Sequence, residues 1–404
     1  MTCVKRLLIV THVTHYRHEG KIFAYGPYAR EINIWCDLFT DVMIAAPCKV
    51  GPPPGDGVAI SRANIELRSI PASGGESIRA KLWQLILLPR IVGLLIFAMR
   101  ATDAVHVRCP GNLGLLGVIL APCFCSKLIA KYAGQWNGFP GESWSVRLQR
   151  HLLGSRWWRG IVTVYGDWPN QPPHVIPFFT SVMTAEQVDR AKEIAARKTA
   201  QQTLSLLFVG RLSKSKNVDV LIEAVARLKQ ADIRVHCDIV GDGAQRRQLG
   251  EQVQRLKLEE CVHFAGAIDF DQVFDFYDRS QVLVLASDTE GWPKAIAEAM
   301  ACGLVCVGSD RGLVPWMLGK GRGFVVPARD VDALTSTLRE LALSPVERIE
   351  ISKRAATFSQ RYSLETLREA LRKLLTEHWH VNMNEVMPTK RNSDPCIKQQ
   401  ATVS

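Results

Sequence analysis

The chain has 404 residues, 47% of them hydrophobic and 22% charged, a composition that excludes a disordered chain and leaves room for two domains of ordinary size. Its formal net charge of +11 calls for an acidic partner; no nucleic-acid-binding motif accompanies the charge, so the expectation is no nucleic acid but phosphorylated substrates or an anionic membrane surface. The 11 cysteines stand without Cys-x-x-Cys pairs or histidines at zinc spacing, which fits the reduced thiols of a cytoplasmic protein, and the apolar run before Thr11 is too short for a signal peptide.

In chain order, Leu7-Leu8-Ile9-Val10 reads as a first strand, followed by a loop over residues 11–26 that carries His12, His15, His18, Gly20 and Gly26. A helix over 29–39 and a strand over 42–45 complete a βαβ unit, and a Gly/Pro loop follows at 51–57. Residues 82–99 are the most apolar stretch, with Pro89 and Arg90 in the middle. A charge at a bilayer centre costs about 2.5 to 3.5 kcal/mol and an interior proline breaks the run, so the expectation is a helix packed on the sheet or partly dipped into a membrane interface, not a spanning one. Val105-His106-Val107 is the next strand, and His106 is expected at its end, opening into a cleft. Over 142–159, Trp144, Leu148 and Leu152 recur every four residues, with Arg147, Arg150 and Arg156 on other faces. Such a basic amphipathic helix either binds a membrane surface or packs its stripe on its own core. Pro172-Pro173 and Pro177 mark a loop-rich exit, and Thr184 with Gln187 forms a capping box that opens a charged helix running to about Lys198.

A second βα series starts with a strand over 204–209 that ends in Gly210-Arg211-Leu212-Ser213-Lys214-Ser215-Lys216-Asn217, before a helix with Val218, Leu221, Ile222, Val225 and Leu228 on one face. Arg211 and Lys216 thus sit in the turn at a strand's carboxyl end. The strand over 235–240 ends in Gly241-Asp242-Gly243, where the next helix packs close. Val262-His263-Phe264-Ala265-Gly266-Ala267-Ile268 leads to Asp269-Phe270-Asp271, which reads as a helix cap with Gln272 and not as a metal site. Val282-Leu283-Val284-Leu285 is a buried strand, and Glu290-Gly291-Trp292-Pro293-Lys294 opens a helix that ends at Gly303. Glu290 falls in the turn and Glu298 more than a turn into the helix, so both carboxylates can face the space beyond the strand's end. In parallel sheets, ligands bind there. The backbone N–H groups of Gly291, Trp292 and Lys294 would make the same spot an anion site.

The string from Glu290 to Gly303 resembles the Glu-x7-Glu signature of the retaining family-4 glycosyltransferases, enzymes of the GT-B fold. Gly210-Arg211-Leu212-x4-Asn217 resembles that family's diphosphate-binding motif, with Arg211 and Lys216 its two cations. The segment around Ala267 matches the one whose backbone holds the nucleotide base. The turn Ser309 to Pro315 and the run Gly321 to Pro327 match as well, so residues 205–335 carry the resemblance strongly, whereas 1–180 carry it only in the order of strands and helices. The family's usual Gly-Gly turn after the first strand is absent; Gly20-Lys21 is the nearest substitute. The resemblance implies that Glu290 contacts the donor sugar's hydroxyls, that Glu298 contacts the ribose, and that His106 lines the cleft.

These readings give an α/β fold of two Rossmann-like domains facing across a cleft: an acceptor-side domain over 1–180, a linker helix over 181–203, a nucleotide-sugar domain over 204–360, a returning helix over 361–380 and a disordered tail over 387–404. The implied reaction is transfer of a sugar from a nucleoside diphosphate sugar to an acceptor hydroxyl, with retention, in polysaccharide or glycolipid assembly. Arg211, Lys216, Glu290 and His106 are the catalytic candidates. Gly210, Gly241, Gly243, Ala267, Gly291, Trp292, Lys294 and Glu298 join the first three in holding the donor, with no metal and no cofactor. A sugar or lipid-linked acceptor, met at the inner face of the plasma membrane, is expected. A catalytically weak nucleotide-sugar-binding module and a sugar-nucleotide epimerase stay open as alternatives, whereas a nicotinamide oxidoreductase lacks its Gly-x-Gly-x-x-Gly after a strand.

Overall fold

The computed structural model describes residues 4–71, 78–138, 142–381 and 383; the expected tail over 387–404 lies outside them. The chain divides into two compact units: the first takes the described residues up to Lys131, Ser143–Val162 and those from Arg368 on, the second the described residues of Tyr132–Glu142 and Thr163–Leu367.

The N-terminal half runs β1 (Arg6–Val10), β2 (His15–His18), β3 (Lys21–Tyr25), α1 (Gly26–Leu38), β4 (Asp41–Ala46), β5 (Cys48–Val50), β6 (Gly57–Ala59), β7 (Ile65–Ser69), α2 (Ile78–Arg100), β8 (Ala104–Cys109), α3 (Asn112–Phe124), β9 (Lys127–Tyr132), α4 (Trp144–Gly154), β10 (Ile161–Tyr165) and β11 (Val175–Phe178). Its main sheet has the order β11-β10-β9-β8-β1-β4-β7, and the division between the units passes through β10. Strands β1, β4 and β8 pair in parallel and are buried on both faces, which is why β1 and β4 are apolar after their first residue; β8 carries His106 and Arg108 inside.

The segment expected as a loop over 11–26 is instead a hairpin, part of a second sheet of order β5-β2-β3-β6. His18 pairs with Lys21, which leaves Glu19 and Gly20 as a two-residue turn with φ of 48° and 72°. Both values are positive, as a type I′ hairpin turn requires; the short, polar strands beside it carried too little alternation to be seen.

His106 is not open at a strand end. Its ring is buried and stacked on Trp35 of α1, with centroids 4.5 Å apart, and neither nitrogen has a hydrogen-bond partner. Burial lowers its pKa to about 3, and burial likewise lowers that of His15 to about 4. Beside it, Glu31 on the inner face of α1 meets Lys131 at 2.8 Å and Arg108 at 3.5 Å. Burial alone would raise the Glu31 pKa, but these two cations hold it at about 2.

The second unit continues with α5 (Ala185–Arg197), β12 (Leu204–Val209), α6 (Val218–Gln230), β13 (Val235–Val240), α7 (Arg246–Arg255), β14 (Val262–Gly266), α8 (Phe270–Arg279), β15 (Val282–Leu285), α9 (Lys294–Ala301), β16 (Val305–Ser309), α10 (Val314–Leu318), β17 (Gly323–Val326), α11 (Val331–Leu343), α12 (Pro345–Ser359) and the start of α13 (Leu364–Trp379), which belongs to the first unit from Arg368 on. The expected capping box on α5 is formed, with Gln187 N–H donating to Thr184 Oγ1 and Thr184 N–H to Gln187 Oε1. The six strands β12 to β17 form one parallel sheet, in the order β14-β13-β12-β15-β16-β17. From β12 the chain winds to one side through β13 and β14, then returns to β15 and winds to the other, so the order reverses between β12 and β15.

Both buried histidines bind protons more readily in the unfolded chain than in the folded one. Stability is therefore full above the unfolded value near 6.5 and is lost as pH falls towards their depressed folded values, by up to about 1.4 kcal/mol per pH unit for each group. The urea midpoint is expected to fall between pH 6.5 and 5. His106→Phe, which keeps a ring on Trp35, should flatten that fall; an unchanged slope in the variant would show that His106 does not stay neutral in the fold.

Candidate functional site

Where strand order reverses, the turns after β12 and β15 lie side by side, and their charged side chains meet. Lys216 ends a single 3-10 turn, Lys214–Lys216, and its ammonium donates to Glu290 Oε1 at 2.6 Å. The Glu290 side chain is 9% exposed and that of Lys216 25%, so the pair is sheltered but reachable. Such a charge-assisted bond is stronger than a neutral one, and loss of either partner would leave a partly buried charge alone.

Asn217 sets this geometry. It adopts the left-handed conformation, φ 49° and ψ 44°, which asparagine tolerates better than most side chains. Its buried Nδ2 donates to Ala286 O and to Asp288 Oδ1, both at 2.8 Å, while Asp288 N–H donates to Ser215 O at 2.8 Å. Three bonds thus lock the turn after β12 to the end of β15. Arg329 donates through Nε to Asp288 at 2.8 Å, and with Asn217 it holds the Asp288 carboxyl down at about 2. Asp288 and Arg329 were not found by sequence reasoning: 41 residues separate them, and neither stands in a local pattern.

Neighbouring loops are stitched to the same end of the sheet. Gly210 N–H donates to Val240 O at 3.0 Å, Gly241 N–H to Gly266 O at 2.8 Å and Leu212 N–H to Asp242 O at 2.9 Å. Gly241 has φ 132°, and a Cβ there would stand 1.9 Å from Gly210 O, so only glycine fits. The expected residues Gly210, Gly241, Gly243 and Ala267 therefore lie on adjoining loops after β12, β13 and β14. Arg211, also in the first of these loops, is exposed.

Helix α9 starts one residue later than the sequence implied, with Pro293 as N-cap and no side-chain cap bond. Its first intrahelical bond runs from Ala297 N–H to Pro293 O at 3.1 Å, and the positive end of its dipole lies directly after the Glu290 turn. Gly312 packs against that turn so closely that a Cβ would stand 1.5 Å from Glu290 O. The Trp292 ring is buried among Tyr165, Tyr362 and Trp316, with centroids 5.9, 5.3 and 6.3 Å away. Only its backbone can serve the site.

Glu298 is buried, and Tyr277 OH donates to it at 2.7 Å. Burial, reinforced by this carboxylate, raises the Tyr277 pKa well above its ordinary value. With Lys294, Thr180 and Tyr362 it lines a narrow cavity. Asp269 caps α8 in a capping box with Gln272, whose Oε1 accepts from Asp269 N–H at 3.2 Å, and Asp271 accepts from Gln187 at 2.7 Å. The Asp-x-Asp string is structural. His106 belongs to the first unit. Among the described residues, no group of three or more His, Cys, Asp or Glu side chains is placed to hold a metal ion.

Residues 189–358 match the family glycosyl transferases group 1. The amylovoran biosynthesis glycosyltransferase AmsK of Erwinia amylovora is 30% identical over 190 residues, 44% of this chain and 47% of that protein. The chain thus spans about half the length of the curated relatives it matches. Among solved structures, sucrose-phosphate synthase from Thermosynechococcus elongatus superposes with a TM-score of 0.68 at 17% identity, over 93% of this chain and 99% of the other. Anabaena HepE in complex with UDP gives 0.66 at 16% identity, over 92% and 100%. These likenesses show the fold, an α/β fold of the GT-B type.

Replacing Asn217 by Ala removes two buried bonds and the residue best suited to the left-handed turn. Loss of about 1–3 kcal/mol of stability in the second unit is expected, together with weaker binding of UDP as Lys216 loses its fixed position. Denaturant midpoints and titration calorimetry check both; unaltered values in the variant would remove Asn217 from this role.

Proposed function

From a glycosyl transferases group 1 domain, formed by residues 189–358, we propose that this chain transfers a sugar from a nucleoside diphosphate sugar to an acceptor hydroxyl, with retention at the anomeric carbon, during assembly of a surface polysaccharide or glycolipid. The observation that carries the reading is the Lys216–Glu290 contact of 2.6 Å at the reversal of strand order. Both halves of a sugar diphosphate find their chemistry there: a cation for the diphosphate and a carboxylate for the sugar's hydroxyls. The relative in amylovoran biosynthesis and the UDP held by HepE point to the same pathway class and the same kind of donor.

In this proposal the diphosphate lies on the Gly210 loop between Arg211, Lys216 and the N-terminus of α9. The bond from the anomeric carbon to the diphosphate breaks as the bond to the acceptor oxygen forms on the same face. The diphosphate leaves with the electron pair, and the acceptor's proton passes to a departing phosphate oxygen. Its charge grows as the bond stretches, and fixed cations with an oriented helix end stabilise that charge without reorganising, so no metal is required. Glu290 orients the sugar. Glu298 receives a ribose hydroxyl beside Tyr277, and the loops at Gly241, Gly243 and Ala267 offer backbone groups to the base. His106, packed under Trp35, is assigned no step. The acceptor is a lipid-linked saccharide met at an anionic membrane surface.

A transfer assay with nucleoside diphosphate sugars and a lipid-linked saccharide tests the reaction. Arg211→Ala and Lys216→Ala should each weaken nucleoside diphosphate binding by roughly tenfold to a hundredfold, the value of one charge-assisted contact, while the variants stay folded. Chelator should leave turnover unchanged. Unchanged affinity in both variants would remove the diphosphate from this site. Binding without transfer would favour a binding module, and isomerised donor without acceptor an epimerase.

A further inference from the structure

The first unit carries a surface that the proposed chemistry does not use. On α2, Trp83, Ile86, Arg90, Leu94 and Phe97 follow one another at three- and four-residue steps, and all are exposed: Trp83 by 59%, Ile86 by 67% and Phe97 by 63%. At 100° per residue these five positions fall on one narrow stripe, about 20 Å long. Ile91, Leu95, Ala98 and Met99 are buried on another face, so the helix already has its core contact and the stripe is surplus to it. Leu85 and Leu88 are exposed as well, on other sides of the helix. Among the described residues, no helix is long and apolar enough to cross a membrane.

Charge at this surface has one sign. Helices α2, α3 and α4 contain no Asp or Glu, whereas α2 and α4 carry Arg90, Arg100, Arg147 and Arg150. Trp144, at the start of α4, is 73% exposed and buries none of the stripe expected of it; Gln149 and Leu153 face the core instead. At the inner end of the stripe, the Arg68 guanidinium lies 5.9 Å over the Phe97 ring. Arg68 also lines a groove of about 450 Å³ together with Arg17 and Lys21 of the β2–β3 hairpin, and Glu66 is the one acid in its lining. An apolar stripe thus runs into a cationic groove.

We propose that this face docks on an anionic phospholipid bilayer. The stripe of α2 lies in the interface, Arg90 reaches out to the headgroups, and the groove of Arg17, Lys21 and Arg68 takes a lipid phosphate. The arrangement is that of an interfacial helix, in which apolar burial and attraction to anionic lipid act together. The inference deepens the proposed use of a lipid-linked acceptor and rests on that reading for its purpose, though not for its test.

The experiment is flotation of the full chain with vesicles of phosphatidylcholine alone or mixed with phosphatidylglycerol, at low and high salt, with light scattering of the free protein. Wild type should float with the anionic vesicles at low salt and be released by high salt. The double variants Ile86→Ser/Phe97→Ser and Arg17→Glu/Arg68→Glu, all at exposed positions, should each partition at least about tenfold less. UDP binding, read by calorimetry, should be unchanged in both, which separates this surface from the donor site. Failure of the wild type to float overturns the proposal. So does flotation that neither variant weakens, or a wild-type dimer that Ile86→Ser/Phe97→Ser makes monomeric without any vesicle binding. Loss of UDP binding in the wild type would count against the transferase reading alone.

Discussion

Neighbouring strands β12 and β15 send the chain in opposite directions across the sheet, and the crevice this leaves is the constraint on which the candidate site depends. Two turns that are 74 residues apart in sequence are forced together at the carboxyl end of the sheet, each with polar groups that need partners. Asn217 answers the need for the backbone, through Ala286 and Asp288, and Lys216 with Glu290 answers it for charge. Close approaches at Gly241 and Gly312 let the flanking loops crowd in. The result is a fixed, partly sheltered set of carboxylates and cations beside a helix end. Little reorganisation is needed for such a site to receive a diphosphate, and preorganisation of this kind is the largest contribution a protein makes to a charge-developing step.

The first unit resolves its polar groups differently. Its reversal lies between β1 and β8, yet the charged cluster beneath α1 is internal: Glu31, Lys131 and Arg108 satisfy one another inside the layer, and His106 is neutral under Trp35. Buried groups of this sort fix one arrangement of helix on sheet. What the first unit exposes is apolar instead, along α2. The second unit presents organised charge; the first exposes the apolar stripe of α2 and a groove lined by Arg17, Lys21 and Arg68.

Much of the second unit was legible because its strands are short apolar runs followed by turns whose residue types have mechanical reasons. Gly210, Arg211, Lys216 and Glu290 stand where a strand-end reading puts them, and Asp269 with Gln272 caps α8 as the spacing implied. Illegible parts share a cause: they depend on partners far away in sequence. The burial of Glu298 follows from Tyr277, and that of His106 from Trp35. The β2–β3 hairpin was missed for another reason, since His15–His18 is polar and four residues long, and its Glu19-Gly20 turn lacks the usual asparagine or aspartate. On α4 the periodicity left two readings open, and the residues that pack are Gln149 and Leu153 and not Trp144.

The central claim, that a nucleoside diphosphate binds across the ends of β12 and β15, is tested most directly by amide hydrogen exchange with and without UDP, GDP or ADP at saturating concentration. The account predicts that at least one of them slows exchange in two segments together, residues 210–217 and 288–297, with little change in β17 or α11. Protection confined to one of these two segments, protection only outside both of them, or none with any of the three nucleotides would contradict it.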